Sequence, residues 1–95
     1  QGLRRYAVIE GKTTSGFAFA MEESVIDNME LVDALAEATD DNPLAVSSVC
    51  VLLLGKAQRK RLYDHLRQAD GRVPVEQVSK ELLEIFTAFK QPGKN

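Results

Sequence analysis

Apolar positions along this chain follow two rhythms, a short extended one near the N-terminus and a helical one after it. Tyr6-Ala7-Val8-Ile9-Glu10 and Phe17-Ala18-Phe19-Ala20 are brief runs with β-branched and aromatic residues. Between them lies Gly11-Lys12-Thr13-Thr14-Ser15-Gly16, a stretch of turn formers. The pattern predicts a β-hairpin. Its loop is longer than the tight two-residue type, so the turn alone does not set the register. A two-stranded hairpin is marginal by itself and must pack on something.

From Glu22 to Ala38 the period changes. Val25, Met29, Val32 and Ala36 fall on one helical stripe, and Leu31 and Leu35 widen it on one flank. Asp27, Glu30, Asp33 and Glu37 gather opposite. Glu22 and Glu23 suit the first turn, where the helix dipole favours negative charge. Asp40-Asp41-Asn42-Pro43 breaks the chain and restarts it, with Asn42 as N-cap and Pro43 as first helical residue. Leu44 to Leu54 reads as a second helix, apolar almost all round and therefore central, ending at Gly55. Val49-Cys50-Val51 could also be a buried strand, but the caps at both ends favour helix. Lys56 to Gln68 is a third segment, with Leu62, Tyr63 and Leu66 as its apolar edge. Asp70-Gly71 marks a turn, and Val73 before proline is extended. Pro74 opens a last helix, with Val75, Val78, Leu82, Ile85, Phe86 and Phe89 at three- and four-residue steps, and Pro92-Gly93 stops it. The expectation is a mainly α fold: a four-helix compact domain with a short N-terminal β-hairpin. Residues 1–2 read as a tag remnant, 3–20 as the hairpin, 21–91 as the helical domain and 92–95 as a flexible tail.

Composition narrows the class. With 95 residues the chain has room for one domain. A net charge of −2 argues against a dedicated nucleic-acid binder, whose affinity comes from neutralising phosphates. One cysteine, Cys50, excludes an intrachain disulfide, and in an apolar run it reads as a small buried side chain. No apolar run is long enough to cross a membrane, so a cytoplasmic location is expected.

Candidate chemistry is sparse. His65 is the single histidine, so any Ser–His or Cys–His pair would have to use it. Zinc normally takes several Cys or His ligands, and one of each in separate elements does not suggest a site. Asp40-Asp41-Asn42 lacks the glycine and spaced ligands of a calcium loop and suits helix capping. Gly55-Lys56 lacks the glycine pattern of a phosphate-binding loop. No catalytic residue, metal ligand or cofactor is expected.

Charge is segregated. Between Lys12 and Lys56 there are eight acids and no base: Glu22, Glu23, Asp27, Glu30, Asp33, Glu37, Asp40 and Asp41. Six bases follow: Lys56, Arg59, Lys60, Arg61, Arg67 and Arg72. These can be two solvated faces that offset each other within one fold. They can also meet between copies, acidic helix to basic helix, giving a homo-oligomer. The basic helix 56–67 leaves a third reading open, a small nucleic-acid-binding or regulatory module that uses Arg59, Lys60 and Arg61.

The chain also contains ordered phrases. They are Ser15-Gly16-Phe17-Ala18-Phe19 entering Met21-Glu22-Glu23, and Asn28-Met29-Glu30-Leu31-Val32-Asp33-Ala34-Leu35-Ala36-Glu37. Leu52-Leu53-Leu54-Gly55, Leu62-Tyr63-Asp64-His65-Leu66-Arg67 and Asp70-Gly71-Arg72-Val73-Pro74 follow, then the amphipathic helix to Phe89. Together, over Ser15 to Lys90, they resemble the small tail assembly chaperones of long-tailed bacteriophages and prophages of Gram-positive bacteria. Ala18 and Ala20 depart from the charged or polar residues expected there, and residues 3–10 match nothing in the pattern. The resemblance implies a non-enzymatic, self-associating helical protein of the host cytoplasm that coats the tape measure protein before the tail tube polymerises. By analogy, the helix flank Leu31 and Leu35 and the hairpin aromatics Phe17 and Phe19 are candidate contacts. The charged candidates are Asp27, Glu30, Asp33, Glu37, Arg59, Lys60 and Arg61.

Overall fold

Two antiparallel strands lead into three α-helices in this computed structural model, which describes residues 8–40 and 42–90. Strand β1 is Val8–Lys12 and β2 is Ala18–Glu22, in a register that sets Ile9 opposite Met21 and Gly11 opposite Phe19. The expected hairpin is present, with each strand ending two residues later than its expected run. Tyr6 and Ala7 lie outside the described residues, as do Pro92 and Gly93. The turn closes through Thr13 N–H on the Phe17 carbonyl at 2.9 Å and Gly16 N–H on the Thr13 carbonyl at 2.9 Å. Gly16 has φ +96°, a left-handed conformation that suits glycine.

The single helix expected over Glu22–Ala38 is two pieces. Glu23–Ile26 is a short 3-10 helix, and α1 runs over Met29–Thr39. Asn28 causes the break. Its side-chain oxygen accepts the Glu30 N–H at 3.0 Å, which makes it an N-cap. The restart also reassigns the faces. Leu31, Ala34 and Leu35 are buried, whereas Met29 (66% exposed), Val32 (40%) and Ala36 face outward. Of the expected stripe, Met29, Val32 and Ala36 therefore lie outside and Val25, in the 3-10 helix, packs half-buried on the core, while the flank Leu31 and Leu35 is itself core. Both repeat at helical spacing, and the bulkier leucines take the interior.

Helix α2 spans Pro43–Leu66. Asn42 caps it by accepting the Leu44 N–H at 3.2 Å, and Pro43 follows as the sequence predicts. The second and third helices expected on either side of Gly55 form this one element, so the count is three α-helices and not four. Gly55 alone leaves helical geometry, at φ 83° and ψ 165°. Gln58 Nε2 donates to the Leu54 carbonyl at 3.0 Å, satisfying an acceptor beside the interruption. Ahead of Gly55 the helix buries Ala45, Val46, Val49, Cys50, Leu53 and Leu54, and beyond it only Leu62 and Leu66. Helix α3, Val75–Lys90, closes the core with Val78, Leu82 and Ile85.

Sheet and helices share one core. Phe17, Phe19 and Met21 pack with Leu31, Leu35, Val49, Leu53, Leu62 and Ile85. The hairpin is also pinned by polar bonds. Thr14 donates its backbone N–H and its hydroxyl to Glu84 Oε2 at 2.7 and 2.8 Å. Gln58 accepts the Ala20 N–H at 2.9 Å and donates to the Ala20 carbonyl at 2.7 Å. The Arg61 guanidinium donates twice to the Ala18 carbonyl, at 3.0 and 3.3 Å.

Candidate functional site

Burial separates the candidate contacts into two groups. Phe17 (3% exposed), Phe19 (5%), Leu31 (0%) and Leu35 (8%) are core residues, which corrects their assignment as surface contacts. Phe19 has a further packing role: a Cβ at Gly11 would meet its ring at 2.8 Å, so the ring occupies the space above that glycine. Asp27, Glu30, Asp33 and Glu37 are exposed. So are Lys60 and Arg61, while Arg59 is half-buried.

The basic residues are largely engaged within their own fold. Arg59 donates to Ser47 Oγ at 3.2 Å and its guanidinium lies 5.9 Å from the Tyr63 ring centre. Arg61 adds to its Ala18 bonds a position 5.1 Å from the Phe17 ring centre. Lys60 pairs with Asp64 at 3.3 Å, Arg67 with the same Asp64 at 3.1 Å, and Arg72 with Asp70 at 2.9 Å. Hydrogen bonds from Arg67 and then Lys60 hold the Asp64 carboxyl below its ordinary value. All these ion pairs are short-range in sequence. Among the described residues none joins an acid of α1 to a base of α2, so the two charge blocks do not neutralise each other by direct pairing.

The outward face of α1 is consequently distinctive. Met29, Val32 and Ala36 form an exposed apolar line, and Glu30, Asp33 and Glu37 rim it with carboxylates that have no ion-pair partner among the described residues. Periodicity found this line but assigned it to the core. No local signal could have placed it, because both stripes of α1 repeat at helical spacing and packing decides which is covered. A second, mixed surface lies where α1 ends and α2 and α3 begin, in a recess where Ala38, Pro43, Val46, Val75 and Leu83 are joined by Thr39, Glu76 and Ser79. Val75 and Leu83 are 51% and 41% exposed.

The one Ser–His contact is built as a latch. His65 Nε2 lies 3.1 Å from Ser15 Oγ and 3.1 Å from the Ser15 carbonyl oxygen. A carbonyl only accepts, so that bond requires a proton on Nε2. The same nitrogen then cannot take the serine proton, as a general base would. Instead the imidazole ties the hairpin turn to α2 and packs 5.7 Å from the Phe17 ring centre. Asp64, its sequence neighbour, is committed to Lys60 and Arg67.

Cys50 is fully buried, and desolvation pushes its thiol above the ordinary 9.0, against a smaller opposing effect of the Tyr63 hydroxyl. That is the setting of an inert thiol rather than a nucleophile. No group of three or more His, Cys, Asp or Glu among the described residues could hold a metal ion. No described helix is long and apolar enough to cross a membrane. Comparison with family models, curated proteins and solved structures finds no match to this chain.

Proposed function

We propose that this chain is a protein-binding assembly factor without catalytic activity, and specifically a tail assembly chaperone for a helix-rich tape measure protein. The observation that carries the reading is the outer face of α1. An apolar line rimmed by free carboxylates suits an amphipathic partner helix whose own apolar stripe is bordered by Lys or Arg. The resemblance supplies a candidate for that partner, a long, helix-rich tape measure protein. The ordered phrases from Ser15 to Lys90 support the specific family, and the mainly helical fold agrees with the helical protein that resemblance implies.

Burial of Met29 and Val32 on binding would supply apolar contact, while Glu30, Asp33 and Glu37 would steer approach and set orientation. Arg59, Lys60 and Arg61 of α2 are engaged within their own fold, which leaves the molecule an acidic binding face.

The gene beside this one, in a bacteriophage or prophage genome, is expected to lie with those for a tail-tube subunit and a very long helical protein. Co-expression of that long protein with this chain is expected to keep it soluble and to co-purify the two. A long protein that neither gains solubility nor is retained would overturn the proposal.

A further inference from the structure

The two edges of the sheet are treated differently. Ala20 directs its N–H and carbonyl to Gln58, and Ala18 directs its carbonyl to Arg61. The outer edge of β2 is therefore occupied by side chains of α2. Because Ala20 points away from β1, the hydrogen-bonded pairs of the hairpin are Ile9 with Met21 and Gly11 with Phe19. The Thr13–Phe17 bond in the turn follows the same parity. On β1 the backbone groups of Val8, Glu10 and Lys12 must then point outward. None of them forms a hydrogen bond with a described residue.

An open edge is a template for another strand. In an antiparallel pair, outward-pointing residues must oppose outward-pointing residues. If the added strand is β1 of a second copy, three two-fold registers keep a useful overlap. Centred on Ile9, the pairing sets Val8 against Glu10 and leaves Lys12 without a charged partner. Centred on Glu10, it sets two carboxylates face to face, which is destabilising. Centred on Gly11, it sets Glu10 against the partner's Lys12 and Lys12 against the partner's Glu10, both favourable. It also brings the two Gly11 backbones together at a closely spaced position, where the absence of a side chain helps.

We propose that β1 pairs with β1 of a second copy about a two-fold axis at Gly11, extending the hairpin into a four-stranded antiparallel sheet. The edge carries two opposite charges two residues apart, so it complements itself in this register. Glu10 and Lys12 are both exposed, free to meet their counterparts on the sheet's outer face. The contact is independent of the outer face of α1, which stays open for a partner.

Light scattering and sedimentation of the full chain at low salt test this directly. The wild type is expected to dimerise with concentration. Glu10→Lys alone, or Lys12→Glu alone, is expected to raise the dimer dissociation constant about tenfold or more, since each creates two like-charge pairs. The double exchange, Glu10→Lys with Lys12→Glu, is expected to restore the dimer. Hydrogen exchange on the wild type gives a second readout that needs no variant: the Glu10 and Lys12 amides gain protection as concentration rises. A strict monomer at high concentration would overturn the proposal. So would a dimer indifferent to these exchanges but dissociated by Lys60→Glu, which would place the contact between the acidic and basic helices.

Discussion

Glu81 stands in α3 between Val78 and Leu82, on the face that closes the core, and is only 6% exposed. Its Oε1 is buried and has no hydrogen-bond partner among the described residues. A buried carboxylate oxygen without a donor loses its hydration and gets nothing back. Glu81→Met keeps the length of the side chain and removes the polar atoms. It is expected to raise unfolding stability by about 1–2 kcal/mol in a urea titration; equal or lower stability would mean that the carboxylate has a role the core geometry does not explain. Cys50 illustrates the opposite case, a polarisable group that belongs where it is. Its burial raises the thiol pKa, and its small volume fits between α2 and the rest of the core. His65 shows that a catalytic pair of residue types can serve as a tie, because the carbonyl of Ser15 decides which ring nitrogen holds the proton.

Gly55 is the position on which α2 turns from a buried helix into an amphipathic one. At φ 83° and ψ 165° it occupies a region almost confined to glycine. Nothing lies within 4 Å of a Cβ placed there, so the cost of a side chain is conformational and not steric. Gly55→Ala is expected to destabilise the chain by about 1–3 kcal/mol. The hairpin register on Gln58 and Arg61 should loosen with it. Thermal unfolding and amide exchange at Ala20 read both effects, and an unchanged Tm would contradict this view of the interruption. The cap at Asn42–Pro43, the glycine at 55, the hairpin and the start of the last helix were all legible from residue types, because each depends on local chemistry. The split at Asn28 was not. Asp27-Asn28 sits inside a run whose apolar spacing continues past it, and only tertiary packing decides that the cap overrides the period. The same ambiguity misplaced the contact candidates. A helix with apolar residues at 25, 29, 32 and 36 and at 31 and 35 offers two faces, and sequence cannot say which one the core takes. Phe17 and Phe19 were misread for a related reason. Alternation along a strand shows which residues share a face, but not which face is covered.

On the scale of the whole molecule, charge is arranged so that one side is committed and the other is free. Arg59, Arg61, Arg67 and Arg72 hold hydrogen bonds or ion pairs within the fold. The acids along the outside of α1 have no ion-pair partner among the described residues. The result is a body with a β2 edge engaged by α2, a β1 edge without a partner strand among the described residues, and an acidic, apolar-lined helix face. The proposed role of this helix face is to bind a basic partner helix. Titration of helical segments of the proposed tape measure partner into the wild type and into Asp33→Lys/Glu37→Lys tests it. Both positions are exposed, so the variant should fold, which circular dichroism checks. Reversal sets like charges against the partner, at a cost of several kcal/mol. Affinity is expected to fall by at least about tenfold. The same affinity for wild type and reversed variant would contradict it.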